Sequence, residues 1–243
     1  MNTMTRHYLL FGANSAISKA YISHILDKEP NATIYAVSRQ NPMKNAVEYL
    51  HCNYSPESLN RVSEQLHQLN VRPHQIILFN GVLHTLSNQP EKRLEDIDAN
   101  YFQQLFTANT LTPLLCLQAV FPLLNHNHDC TITALRARVG SIEDNQLGGW
   151  YSYRASKSAL NMLFKTAAIE LSRRSKNTRL VLFHPCTTDT ALSKPFQKNL
   201  PEHKLFSPEF VANQLFNLLS NAQQFTKPNE PAYIDWQGKP INW

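Results

Sequence analysis

The chain has 243 residues, 42% of them apolar and 17% charged, with a formal net charge of +5. That balance excludes a disordered or fibrous protein, and the length fits one domain with a large core, spanning residues 1–243. No apolar run approaches the ~18–20 residues of a membrane helix, and the start MNTMTRHYLLFGAN has neither the core nor the cleavage pattern of a signal peptide. Cys52, Cys116, Cys130 and Cys186 form no C-x-x-C pair and read as thiols of a reducing compartment, so a cytoplasmic location is expected. The densest positive patch, Arg173, Arg174, Lys176 and Arg179, lacks interleaved aromatics and suits a helix C-terminus; neither nucleic acid nor membrane is expected as a partner.

In chain order, HYLLF at 7–11 is a short apolar strand followed at once by Gly12, and Ile17, Tyr21 and Ile25 then recur every four residues on a helix. Residues 32–37 (ATIYAV) give a second strand ending at Ser38-Arg39, and 47–52 (VEYLHC) a third. Ser55-Pro56-Glu57 supplies a cap, a first-turn proline and an acid for a helix carrying Leu59, Val62, Leu66 and Leu69. Residues 74–79 form a fourth strand closed by Asn80-Gly81, a long helical stretch covers 98–124, and 131–135 is a fifth strand. A glycine-containing loop leads to a helix at about 151–174, then a strand at 179–183, a helix opened by Ser207-Pro208-Glu209, and a last strand at 232–235. This alternation predicts a doubly wound, parallel α/β sheet of about seven strands with helices on both faces, a Rossmann-type architecture.

Glycine is scarce, six in all, and five of them (Gly12, Gly81, Gly140, Gly148, Gly149) lie in loops leaving strands at their carboxyl ends, where such sheets bind ligands. The sharpest chemical pair is Tyr153 and Lys157, on one helix face. A nearby ammonium favours the phenolate, which would let the tyrosine exchange a proton with a carbonyl or an alcohol. Pro113, four residues after Asn109, removes a helix hydrogen bond and leaves the Asn109 carbonyl in need of a partner, for which water is expected. His126-Asn127-His128-Asp129-Cys130 contains metal-ligand types but reads as a polar turn, so no metal is expected. For the aromatics Trp150, Phe196, Phe206 and Trp243, pocket wall and core are both open readings.

Gly12, Asn80-Gly81, Asn109, Ser141, Tyr153/Lys157 and Pro185 stand in the order of the motifs of the short-chain dehydrogenase/reductase family, which the chain resembles over nearly its whole length. ARVGSIEDNQLGGWYSYRASKSALN and DWQGKPINW look most like its C-factor-type branch. The resemblance implies an NAD(P)-dependent oxidoreductase of carbonyls or alcohols: Tyr153 as acid/base, Lys157 on the nicotinamide ribose, Ser141 on the substrate oxygen and Asn109 holding a water. It implies cofactor contacts at Gly12, Asn14, Ser15, Ile17, Ser38, Arg39, Asn53, Asn80, Gly81, Tyr153, Lys157, Pro185, Thr188 and Thr190, and a homodimer or homotetramer. NADP is expected over NAD, because Arg39 and no acid ends the second strand. The chain departs from the family's pattern in keeping only the first glycine of its turn, with Ala16 and Ser18 in the later places. It has Asn53 for an adenine-holding acid, Cys186 for a glycine and Arg136 where relatives often carry serine. If Ala16 takes a positive φ, the turn is strained and cofactor binding weakened. A degraded turn leaves an alternative from another class, a dinucleotide-binding signalling or regulatory protein with little turnover.

Overall fold

A computed structural model describes residues 5–42, 47–124, 128–198, 200–201 and 204–243. The polar turn expected at 126–130 falls partly outside them, as do the first four residues of the presumed start. The strands β1 (His7–Phe11), β2 (Thr33–Ser38), β3 (Glu48–His51), β4 (Gln75–Leu78), β5 (Cys130–Leu135) and β6 (Thr178–His184) belong to one sheet. Between them run α1 (Ala16–Lys28), α2 (Pro56–Gln68), α3 (Ala99–Phe106), α4 (Thr112–Val120) and α5 (Tyr151–Arg174). After β6 come β7 (Thr187–Thr188), β8 (Leu205–Phe206), α6 (Pro208–Ser220) and β9 (Ala232–Asp235).

The sheet has seven parallel strands, as the sequence predicts, and their order is β3-β2-β1-β4-β5-β6-β9. The pair β7–β8 is an addition that the sequence does not announce, since each strand is only two residues long. Successive strand residues point to opposite faces, so central strands carry unbroken apolar runs. In β1, Leu9 and Phe11 enter the core under α2, α4 and α5, while Tyr8 and Leu10 enter the core under α1 and α6. Leu10 pairs with Ile77 and Phe11 with Leu78, which sets the ends of β1 and β4 level. The chain reverses direction across the sheet between these two strands, and the crevice opens at their carboxyl ends.

The long helix is interrupted. Between α3 and α4, Thr107–Leu111 forms a π-turn, with the Thr112 N–H reaching Thr107 O. Pro113 supplies no N–H to the ladder, and the wider turn is how the backbone passes it. The whole stretch Ala99–Leu124 is long and apolar enough by composition to cross a membrane, contrary to the expectation from apolar runs; half of its apolar window is buried inside the protein. Its buried residues, among them Tyr101, Leu105, Cys116 and Val120, face the core.

Candidate active site

The turn after β1 is built locally. Gly12 has φ +69°, and a Cβ there would stand 2.9 Å from Asn80 N, so both conformation and space require glycine. Ser15 caps α1, its hydroxyl accepting from Ser18 N at 3.2 Å. Ala16 is the exposed first residue of α1 and is absent from the positive-φ residues, so the expected strain there does not exist. The tyrosine after β3 completes the turn: Tyr54 Oη accepts from Gly12 N at 2.7 Å and donates to Val37 O at 3.0 Å.

A cleft of about 340 Å³ lies here, lined by Gly12, Asn14, Ser15, Ser38, Arg39, Gln40, Tyr54, Phe79, Asn80, Gly81, Val82, Ala108 and Thr112. Seven of the sequence-predicted cofactor residues thus share one wall: Gly12, Asn14, Ser15, Ser38, Arg39, Asn80 and Gly81. The others stand apart from it. Ile17 is packed in the core beneath α1, and Asn53 spends its side-chain oxygen on Ser55 N at 2.9 Å. Pro185, Thr188 and Thr190 shape the turn after β6, where Thr188 Oγ1 donates to Pro185 O at 3.5 Å and Thr190 O accepts from Lys194 N at 3.0 Å.

Beside the cleft, outside its lining residues, stands the head of α5. Gly148, Gly149 and Trp150 are all left-handed, with φ of +64°, +62° and +54°. Arg154 holds this turn against the helix, donating to Gly149 O at 2.9 Å, Gly148 O at 3.1 Å and Val139 O at 3.0 Å. Trp150 gives α5 no side-chain cap, and its first turn has no acid. The cap comes from elsewhere: buried Glu91 accepts from Ser152 N at 3.3 Å through both oxygens and from the Ser152 hydroxyl. Glu91 O also accepts from Trp150 N at 2.5 Å. An anion at the positive end of a helix is favourable, but nothing in the sequence near Glu91 signals this contact.

Tyr153 and Lys157 share the buried face of α5 as predicted, with Lys157 Nζ 5.8 Å from the tyrosine ring centroid. Lys157 Nζ donates to Leu135 O at 3.3 Å. Asn109, fully buried in the π-turn, donates to Val82 O at 2.8 Å and Ser156 Oγ at 3.1 Å and accepts from Val82 N at 2.8 Å. It thereby clamps the β4 loop to α5. Ser141 is held elsewhere: its hydroxyl donates to Trp243 O and accepts from Asp144 N, both at 3.2 Å. Ala137 packs in the apolar cluster around Tyr153.

Burial raises Tyr153 to about 12, and Arg136 pulls it back down. Burial first, and Arg136 second, lower Lys157 to about 7. Of the four aromatics left open, Trp150 and Phe196 stand beside Tyr153, with Trp150 centroids 6.1 Å from Tyr153 and 5.1 Å from Phe196. Phe206 packs on Trp236 and Trp243 on Tyr233.

A seven-stranded parallel sheet, a crevice at its switch point and a buried Tyr-Lys pair define a Rossmann-type oxidoreductase. The short-chain dehydrogenase family model matches residues 6–201, and the chain belongs to that family. It is 31% identical over 189 residues (78% of this chain, 76% of the relative) to 1-hydroxy-2-glutathionyl-2-methyl-3-butene dehydrogenase of Rhodococcus sp. (strain AD45). It is 29% identical over 150 residues (62% of this chain, 83% of the relative) to C-signal of Myxococcus xanthus, in keeping with the C-factor-like motifs. The NADPH-bound carbonyl reductase from chicken fatty liver superposes with a TM-score of 0.82 at 21% identity, covering 98% of this chain and 99% of that one.

Proposed function

We propose that this protein is an NADP-preferring carbonyl reductase, a single dinucleotide-binding domain in which Tyr153 exchanges the proton. The observation that carries the reading is the place of Gly81. It lines the crevice, and a Cβ on it would lie 3.6 Å from Lys157 Nζ and 3.7 Å from Asn109 Oδ1. The cleft wall therefore runs directly into the Tyr153–Lys157 pair. The residues fit a dinucleotide in two further respects. Asn80 Oδ1 is buried without a hydrogen-bond partner at the crevice, and the N-terminus of α1 opens beside it, where anions are favoured.

A nicotinamide dinucleotide supplies hydride when bound. Gly12, Asn14 and Ser15 line the phosphate end, Ser38 and Arg39 the adenosine ribose, and Asn80, Gly81 and Lys157 the nicotinamide side. The turn carrying Pro185, Thr188 and Thr190 would close over it, with Ile17 and Asn53 supporting the turns from behind. Among the described residues, Arg39 is the one charged side chain lining the cleft, which favours a 2′-phosphate. Tyr153 donates its proton to the carbonyl oxygen in reduction and takes one from the alcohol in the reverse direction. Asn109 keeps the α5 face in register with the cleft, and Ser141 acts on substrate only if its bond to Trp243 O opens.

A second reading, a dinucleotide-binding regulatory protein with little turnover, is favoured by one observation: Tyr54 already occupies the Gly12 N–H. Loss of NADPH absorbance at 340 nm against aldehydes, ketones and quinones, beside dissociation constants for NADPH and NADH, separates the two. Tight NADPH binding with no turnover favours the second; equal or tighter NADH binding overturns the cofactor preference. The reading includes a homodimer or homotetramer, since Phe102, Leu111, Met162 and Ile169 are exposed on α3, the π-turn and α5. A monomer by light scattering at micromolar concentration overturns that part. It also includes a cytoplasmic location, in keeping with the four unpaired thiols.

A further inference from the structure

Arg136, the residue just past β5, is a cation in an unusual place. It is 3% exposed and lies beneath α5. Nη2 donates to Gly140 O at 3.1 Å, while Nε and Nη1 are buried without a partner. The guanidinium faces the Tyr233 ring, 5.3 Å from its centroid. A Cβ built on Gly140 would stand 2.3 Å from Arg136 Nη1 and 2.7 Å from Lys157 Cβ. The guanidinium and the lysine stem thus flank one Cα, and only glycine leaves room for both.

The charged and titratable groups around it are few. Tyr153 and Lys157 face it from α5, Tyr233 from β9 and His184 from β6. Neither nearby carboxylate answers it: Asp144 pairs with Arg138 at 2.7 Å, and Asp235 accepts from Gln237 N and Lys239 N at 2.8 and 2.9 Å. A buried cation without a carboxylate costs stability that a neutral side chain of similar size would restore. Such a residue needs a reason in function.

We propose that Arg136 is a positioning residue for the Tyr153–Lys157 pair, a permanent buried cation held against the Lys157 stem across Gly140, whose charge acts on both groups of the pair. The direction of both shifts agrees, since Arg136 lowers Lys157 and Tyr153 alike. The role in turnover rests on Tyr153 being the acid/base; the effect on Lys157 does not.

The test reads Lys157 directly. Side-chain lysine signals are titrated by heteronuclear NMR in the wild type, Arg136→Met and Arg136→Lys, with the Lys157 signal assigned by its loss in Lys157→Met. The expected result is a Lys157 midpoint near neutrality in the wild type, about one unit or more higher in Arg136→Met, and little changed in Arg136→Lys. Arg136→Met should also unfold at an equal or higher temperature than the wild type. The pH profile of carbonyl reduction should follow the same ordering. An unmoved Lys157 midpoint in Arg136→Met overturns the proposal, as does an equal shift in both variants. A wild-type midpoint above about 9.5 overturns it without any variant. A shifted midpoint in a protein that reduces no carbonyl upholds the electrostatic role and removes the proposed reductase activity instead.

Discussion

The β1 wall of the crevice and the α5 wall that stands beside it are made in different ways. The β1 wall is capped by neighbours in the chain, since Ser15 caps α1 three residues from its partner and Gly12 turns where the strand ends, and the distant Tyr54 completes the turn. The α5 wall is held from a distance. Its helix cap comes from Glu91, its buried cation from Arg136, and its clamp from Asn109, each on a separate segment. Local capping tolerates changes elsewhere, whereas a site assembled from distant groups makes each of them a point of failure for the chemistry.

The sharpest break falls on the α5 wall. Tyr153→Phe is expected to lower turnover by ~10²–10⁴ and leave the NADPH dissociation constant nearly unchanged, since the ring still packs while the proton is gone. Steady-state rates beside fluorescence titration check this, and more than about a tenth of wild-type turnover would remove Tyr153 from the mechanism.

The same wall should show itself in the pH dependence of stability. Lys157 is lowered to about 7 in the folded protein, by burial and then by Arg136. The unfolded chain holds that proton up to its ordinary value near 10.4, so between these limits the unfolded state binds more protons and stability rises with pH. Thermal midpoints should increase from about pH 7 towards pH 9.5, and Lys157→Met should flatten the rise. A midpoint that falls over that window in the wild type contradicts the burial of an amine here.

Glu91→Ala tests the distant cap. It leaves the Ser152 N–H and hydroxyl without their acceptor, a loss of about 1–3 kcal/mol. Denaturant unfolding should report it, and turnover should fall more than cofactor affinity, because Ser152 adjoins Tyr153. Glu91→Gln, which keeps an acceptor, should recover most of the stability.

Gly12→Ala tests the local wall: the left-handed backbone costs on the order of 1–2 kcal/mol, and the approach to the Asn80 backbone adds to it. Here the readout that moves should be NADPH affinity, with turnover at saturation retained. If Gly12→Ala instead lowers turnover at saturation, the two walls are not separable in this way.

Hydropathy runs alone fixed the strands of the sheet to within a residue or so, because a strand buried on both faces must be apolar throughout. Ser55-Pro56-Glu57 and Ser207-Pro208-Glu209 announced α2 and α6 because capping is a matter of adjacent residues. Tyr153 and Lys157 were legible for the same reason, as one turn of helix separates them. What tertiary structure decided is everything that acts across the chain. It turned the Ser141 hydroxyl to Trp243 O, put Ala137 beside Tyr153 and made Tyr54 the partner of Gly12. It also set Arg136 against Lys157 with no carboxylate among the described residues to answer it, and brought Glu91 to the head of α5. Sequence spacing carries the periodicity of helices and strands, but the field at a buried tyrosine depends on which distant groups the fold brings within a few ångströms of it.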